Sequence, residues 1–127
     1  MNTLSVVRVL VAGLVGLLVQ GCASSPKTGA SAVAGAWTNS VRTVWTLNAD
    51  GTFDADVDHN GSRDAWGKYT VEGNVLTMWR VGGLNPKHCD GKGVYRFVRT
   101  ADTLQFTLVS DSCKLRKQNM LIYWLLK

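Results

Sequence analysis

The sequence predicts an all-β domain: about eight antiparallel strands in an up-and-down barrel, with a two-sheet sandwich as the alternative. Three observations carry this. From Gly35 onward, apolar residues recur with period two, the spacing of half-buried strands. Gly, Asn and Asp interrupt that pattern at short intervals, as turns do. No long stretch after Gly35 has the period of an amphipathic helix. Strands joined by tight turns favour a meander, and closing eight of them into a barrel removes the exposed edges.

The elements follow in order. A short first segment holds Trp37. Thr43 to Leu47 is β-branched and aromatic, and Asn48-Ala49-Asp50-Gly51 ends it. Thr52 to Val57 alternates strictly, with Phe53, Ala55 and Val57 on one face and Asp54 and Asp56 on the other. Asn60-Gly61 is a hairpin signal before Trp66 to Val71. Glu72-Gly73-Asn74 turns the chain into Val75 to Val81. The loop from Gly82 to Gly91 carries Pro86 and Cys89. Val94 to Arg99 pairs with Leu104 to Val109 across Thr100-Ala101-Asp102, Lys114 to Asn119 suits one helical turn, and Leu121 to Leu126 closes the chain.

The N-terminus is of a different kind. Residues Val6 to Val19 are apolar or Gly except for Arg8, and no acidic residue precedes Asp50. That is a secretory signal in form. The uncharged run Val9 to Val19 is about half the ~20 residues a spanning helix needs. Val19-Gln20-Gly21-Cys22 resembles the lipobox of bacterial lipoproteins. The resemblance implies cleavage before Cys22, acylation of its sulfur, and a domain tethered to a membrane. Ala23, rather than Asp, after that Cys implies the outer membrane, on its periplasmic face in a Gram-negative envelope. The organisation expected is a signal at 1–21, a flexible tether at 22–34 and one β domain at 35–127.

Removing the segment that carries Arg8 takes the 14 basic residues to 13 against 9 acidic, a net charge of +4. That suits an anionic surface, and it also suits ordinary solubility. Exported proteins rarely meet nucleic acid, so none is expected as a partner. With Cys22 lipidated, Cys89 and Cys113 form an even pair in an oxidising compartment, which predicts a disulfide between them.

Gly35-Ala36-Trp37, Asp50-Gly51-Thr52-Phe53, Gly67-Lys68-Tyr69-Thr70-Val71, Gly73-Asn74-Val75-Leu76-Thr77 and Gly93-Val94-Tyr95-Arg96-Phe97 recur along the meander. The series resembles small secreted or lipidated lipocalin-like (calycin-type) barrels, which open their first strand with Gly-x-Trp. The resemblance implies an Arg late in the chain packed over the opening Trp, here Arg116 over Trp37.

Enzyme chemistry finds little support, and no cofactor is called for. The two histidines are His59 and His88. There is no nucleophile elbow and no Gly-rich phosphate loop before a helix. Asp56, Asp58, Asn60, Gly61 and Asp64 match the first nine positions of an EF-type calcium loop, but Gly67 stands where its bidentate Glu belongs. Strand geometry would also hold Asp56 and Asp58 about 7 Å apart. The loop is therefore at most a weak calcium candidate, and no metal is expected to be held tightly. The richer set is aromatic: Trp45, Phe53, Tyr69, Tyr95, Phe97, Phe106 and Trp124 either fill the barrel or line a pocket for an apolar ligand.

The leading functional expectation is a non-enzymatic, membrane-tethered envelope protein that binds a small apolar molecule or an envelope component. The alternative is a protein-binding module, such as an inhibitor of a lytic enzyme, acting through the loop at residues 83–91.

Overall fold

The computed structural model describes residues 21–22 and 25–127. The expected export signal rests on residues 1–20, which lie outside the described residues. One turn of 3-10 helix (Gly29–Ala32) leads into β1 (Gly35–Thr38), β2 (Val44–Leu47), β3 (Thr52–Asp56), β4 (Ala65–Glu72), β5 (Val75–Gly83), β6 (Gly93–Arg99) and β7 (Thr103–Ser110). A short helix, α1 (Lys114–Met120), precedes β8 (Trp124–Leu126). Each strand pairs antiparallel with the next, and β8 pairs back onto β1, so the sheet is a closed barrel in sequence order. This excludes the two-sheet sandwich.

The period-two pattern sets the inside of the barrel. Trp37, Trp45, Leu47, Phe53, Tyr69, Leu76, Met78, Tyr95, Phe97, Leu104, Phe106 and Trp124 all face inward and are buried. Trp45 is the hub, with ring centroids 5.5–6.1 Å from those of Phe53, Phe106 and Trp124. Outward Trp66 and Trp79 lie beneath cations, Arg63 at 4.1 Å and Lys92 at 4.9 Å from the ring centroids.

Two expected elements change. The last strand is only Trp124–Leu126, because Leu121 and Ile122 finish α1 by donating their N–H groups to Lys117 and Asn119. The Asn60-Gly61 pair does not make a two-residue hairpin. Strand β3 stops at Asp56, and residues 57–64 form a wider loop with positive φ at His59 and Gly61.

An up-and-down chain alternates its connections between two ends. Turns 48–51, 73–74 and 100–102 lie at one end; loops 39–43, 57–64, 84–92 and 111–123 lie at the other. The first end is closed by the chain leading into β1. Val33 is fully buried there and accepts the Trp37 indole N–H at 2.9 Å. The Tyr69 hydroxyl sits between the carbonyls of Asn48 and Ala30, and burial together with the Asp50 charge pushes its pKa up to about 12. Residues 29–34 therefore pack on the barrel, so the flexible segment expected at 22–34 does not extend through them. Gly35 at this point has φ 151°, and a Cβ there would stand 2.9 Å from the Leu126 side chain, so the opening Gly-x-Trp tolerates no larger residue.

The expected stack of Arg116 on Trp37 is not what forms. Arg99 lies over Trp37, 4.9 Å from the ring centroid, and donates to the carbonyls of Ala32 and Ala34, each at 3.1 Å. The reason is geometric. Inward positions on β6 run Gly93, Tyr95, Phe97, Arg99 and finish at the closed end, whereas α1 carries Arg116 at the opposite end.

Truncating Arg99 to Ala removes two charge-assisted hydrogen bonds and the ring contact. The expected cost is about 2–4 kcal/mol, read as a lowered urea midpoint at unchanged slope.

Candidate functional site

The open end carries an apolar cavity of about 110 Å³. Trp45 and Trp124 form its base, Phe53 and Met78 its walls, and Leu84 and Met120 its rim. It is smaller than the ~300–1,000 Å³ that drug-sized ligands occupy. A small molecule is what it can hold.

Three linkages build the cover. The expected disulfide between Cys89 and Cys113 is formed and ties loop 84–92 to the start of α1. Ser112 Oγ donates to the His88 carbonyl at 3.0 Å, and His88 itself has φ 65°, strained for a residue with a side chain. The amide group of Asn39 donates to Asn119 Oδ1 at 2.8 Å, and its own oxygen accepts the N–H groups of Val41 and Thr43. Loop 39–43, loop 84–92 and α1 are thereby held as one rim.

Beneath this rim lies the shortest and most buried ion pair among the described residues. Arg116 Nε donates to Asp111 Oδ2 at 2.6 Å and Nη2 to Oδ1 at 2.7 Å, a bidentate fork. The Asp111 side chain is fully buried and that of Arg116 is 11% exposed. Tyr95 donates its hydroxyl to Asp111, and Cys113 donates its N–H at 2.8 Å. Burial alone pushes the Asp111 carboxyl up. The hydrogen bonds from Arg116, Tyr95 and Cys113, with the Arg116 charge, outweigh it and hold the group below its usual 3.8. Burial is the main cause that raises the Tyr95 phenol, and the Asp111 contact adds to it. Gly93 makes room for the pair, since a Cβ there would meet Asp111 Oδ2 at 2.5 Å.

The aromatic candidates divide. Trp45, Phe53 and Trp124 line the cavity. Tyr69 braces the closed end, Tyr95 holds Asp111, and Phe97 and Phe106 fill the core between them. Cys22 is a free, exposed thiol at the head of the tether. Cys89 is in a disulfide, so the neighbouring His88 has no thiol to activate.

The Asp56 to Asp64 loop departs from the strand geometry expected of it. Asp58 lies beyond β3, and carboxylate oxygens of Asp56, Asp58 and Asp64 come within 4.8 Å of one another. Their hydrogen bonds explain why. Asp56 accepts the N–H groups of Asn60 and Gly61, Asp58 accepts from Asn60, and Asp64 accepts from Val57. The Asn60 side-chain oxygen is likewise taken, by the N–H of Ser62. The carboxylates thus fold the loop. Gly67, where the calcium loop needs its Glu, faces inward from β4, and a Cβ there would stand 2.0 Å from the Trp79 carbonyl oxygen. No ligand can come from that position.

Arg80 is the residue that sequence reading missed. It follows Leu76 and Met78 on the inward face of β5 and lines the cavity. Its Nη2 reaches Asp90 at 3.4 Å, and its Nε is buried without a partner. Continuing the alternation two residues past Met78 would have found it. No known protein family, curated protein or solved structure matches this chain.

Two outcomes are expected. Because the folded Asp111 carboxyl is depressed below 3.8, its contribution to stability is complete at neutral pH and is lost as pH falls below about 4. Asp111→Asn is expected to flatten that acid limb in thermal melts. It also leaves Arg116 without its counter-charge, a cost of about 3–5 kcal/mol. Calorimetric titration with calcium is expected to give no binding tighter than about millimolar, because the loop lacks the bidentate ligand.

Proposed function

We propose that this chain is a non-enzymatic envelope lipoprotein, anchored through lipid on Cys22, whose lipocalin-like barrel binds a small apolar molecule. The observation that carries the binding part is the cavity at the open end, walled by aromatic and thioether side chains and covered by a disulfide-braced rim. Apolar cavity walls favour a hydrocarbon or aromatic body. The anchoring part is supported by Val19-Gln20-Gly21-Cys22, behind an apolar run with a cationic start. The Gly-x-Trp opening and the Arg-capped Trp37 support likeness to lipocalins.

The tether adds a geometric consequence. It leaves Cys22 about seven residues from the 3-10 turn at Gly29, a reach of roughly 25 Å at full extension.

Loop 84–92 supports a second reading, a protein-binding module. It is pinned by Cys89 and Ser112, and it presents Leu84 half-exposed. Pre-organised loops of this kind lose little entropy on docking.

Native mass spectrometry of the full chain, taken from the membranes of its own host, separates the two. A bound small molecule that disappears in Ala55→Met, which fills the cavity, is the expected result. A co-purifying polypeptide and an empty cavity would favour the second reading. Cys22→Ser is expected to move the protein from the membrane to the soluble fraction; a mutant of mature size still in the membrane would refute the anchor.

A further inference from the structure

The end of the barrel opposite the cavity carries a second opening. A cleft of about 540 Å³ lies between the chain leading into β1, which lends Lys27 and Ala32, and the turns after β4 and β6, which lend Gly73 and Ala101. Phe97 and Arg99 of β6 also line it. Two of the lining residues are cations and none is acidic. Glu72 and Asp102 stand in or beside the bordering turns, but neither pairs with Arg99. The ion pairs among the described residues are Arg63–Asp54, Arg80–Asp90 and Arg116–Asp111.

Arg99 is firmly held and yet incompletely used. Nη1 donates to the carbonyls of Ala32 and Ala34, and the guanidinium lies over the Trp37 ring. These contacts fix the plane of the group. Its Nε and Nη2 have no acceptor among the described residues, and neither atom is sealed from solvent. Arg116 differs, since it gives the same two atoms to Asp111 and the Gly91 carbonyl. A fixed arginine edge with both N–H groups free is half of a bidentate oxyanion site. Lys27, exposed on the incoming chain, brings a second charge from the other wall.

We propose that this cleft binds a phosphate monoester, with two of its oxygens on the Nε–Nη2 edge of Arg99 and the third toward Lys27. Charge and shape both support this class. A monoester has three terminal oxygens and carries about −1.5 to −2 near neutral pH. The cleft offers two positive charges from two separate segments. Its volume exceeds that of a phosphate group alone, so an organic body has room beside Ala32, Phe97 and Ala101. A soluble glycerol or sugar phosphate and the headgroup of a phosphatidate lipid share this chemistry. The site is separate from the open-end cavity and does not depend on what that cavity holds.

The test is calorimetric titration of the full chain, in phosphatidylcholine nanodiscs, with glycerol 3-phosphate and with glycerophosphocholine. The second probe is a diester, without the third free oxygen and the second negative charge. Glycerol 3-phosphate is expected to bind about tenfold tighter, the worth of one charge-assisted hydrogen bond. Lys27→Gln is expected to weaken it about fivefold, as for an exposed ion pair, and to leave the thermal melt unchanged. Arg99→Lys keeps the charge and loses the fork, and is expected to weaken it about tenfold or more. Equal binding of the two probes, no binding of either, or full binding by Lys27→Gln would overturn the proposal, whether or not Arg99→Lys folds. Repeating the titration in discs containing phosphatidate, against discs of equal charge containing phosphatidylglycerol, reads the source. Glycerol 3-phosphate binding lost in the phosphatidate discs alone supports the lipid headgroup; binding retained there supports the soluble ester. The titration with soluble probes needs no anchor, so it stands or falls separately from the reading of Cys22.

Discussion

Closure of the barrel depends on the shortest strand. Strand β8 has three residues, and it must pair with β7 on one side and β1 on the other. Two register pairs per side give too few ladder hydrogen bonds to hold a seam alone. Two tryptophans, Trp37 on β1 and Trp124 on β8 itself, supply the rest. Trp37 and Trp124 are 0% and 1% exposed, and each indole N–H is bonded to a segment outside the sheet. Trp37 reaches Val33, in the chain that closes one end; Trp124 reaches Met120, in the helix that covers the other. The seam and both covers are therefore one structure, and burying two large rings there drives all three.

The covers differ in what holds them. At the closed end, Arg99 and Tyr69 donate to backbone carbonyls of the chain leading into β1, and Tyr69 also to that of Asn48. At the open end, a disulfide and the Asp111–Arg116 fork carry the load, because loop 84–92 and α1 have no sheet ladder of their own. Cross-links between loops fix the rim without filling the space beneath it. That is the condition for a pre-formed cavity, which costs a ligand little reorganisation.

The strands were legible in the sequence because alternation is a local signal. Phe53 and Ala55, or Leu104 and Phe106, announce an inward face in a few residues, and eight strands with short turns leave few topologies. The disulfide was legible from cysteine parity once Cys22 was assigned to lipid. The identity of the arginine over Trp37 was not, because it depends on which end each strand finishes at, and that emerges only when the meander is closed. Arg116 sat in a conspicuous stretch, Asp111-Ser112-Cys113-Lys114-Leu115-Arg116, but its partner is Asp111, five residues back. The carboxylate loop was misread for a related reason. Its Asp side chains bond their own turn, and such short-range competition with the ladder ends β3 one residue sooner than alternation suggests.

The position of the cavity follows from the order of large and small residues along the strands. An eight-stranded barrel is just wide enough for side chains to fill it, so any space must come from small residues gathered at one level. Reading the inward register toward the open end gives Leu47, Trp45, Thr43 on β2, then Phe53, Ala55 on β3, and Val71, Tyr69, Gly67, Ala65 on β4. Strand β6 runs Phe97, Tyr95, Gly93 in the same direction. Strands β2, β3, β4 and β6 thus taper from rings and branched chains to Thr, Ala and Gly. On β5 the taper is replaced by an arginine, after Leu76 and Met78. A long cationic side chain thus stands on β5 at the level where those strands make room. The emptied layer and the inward charge are thus two parts of one local arrangement, written into the same register.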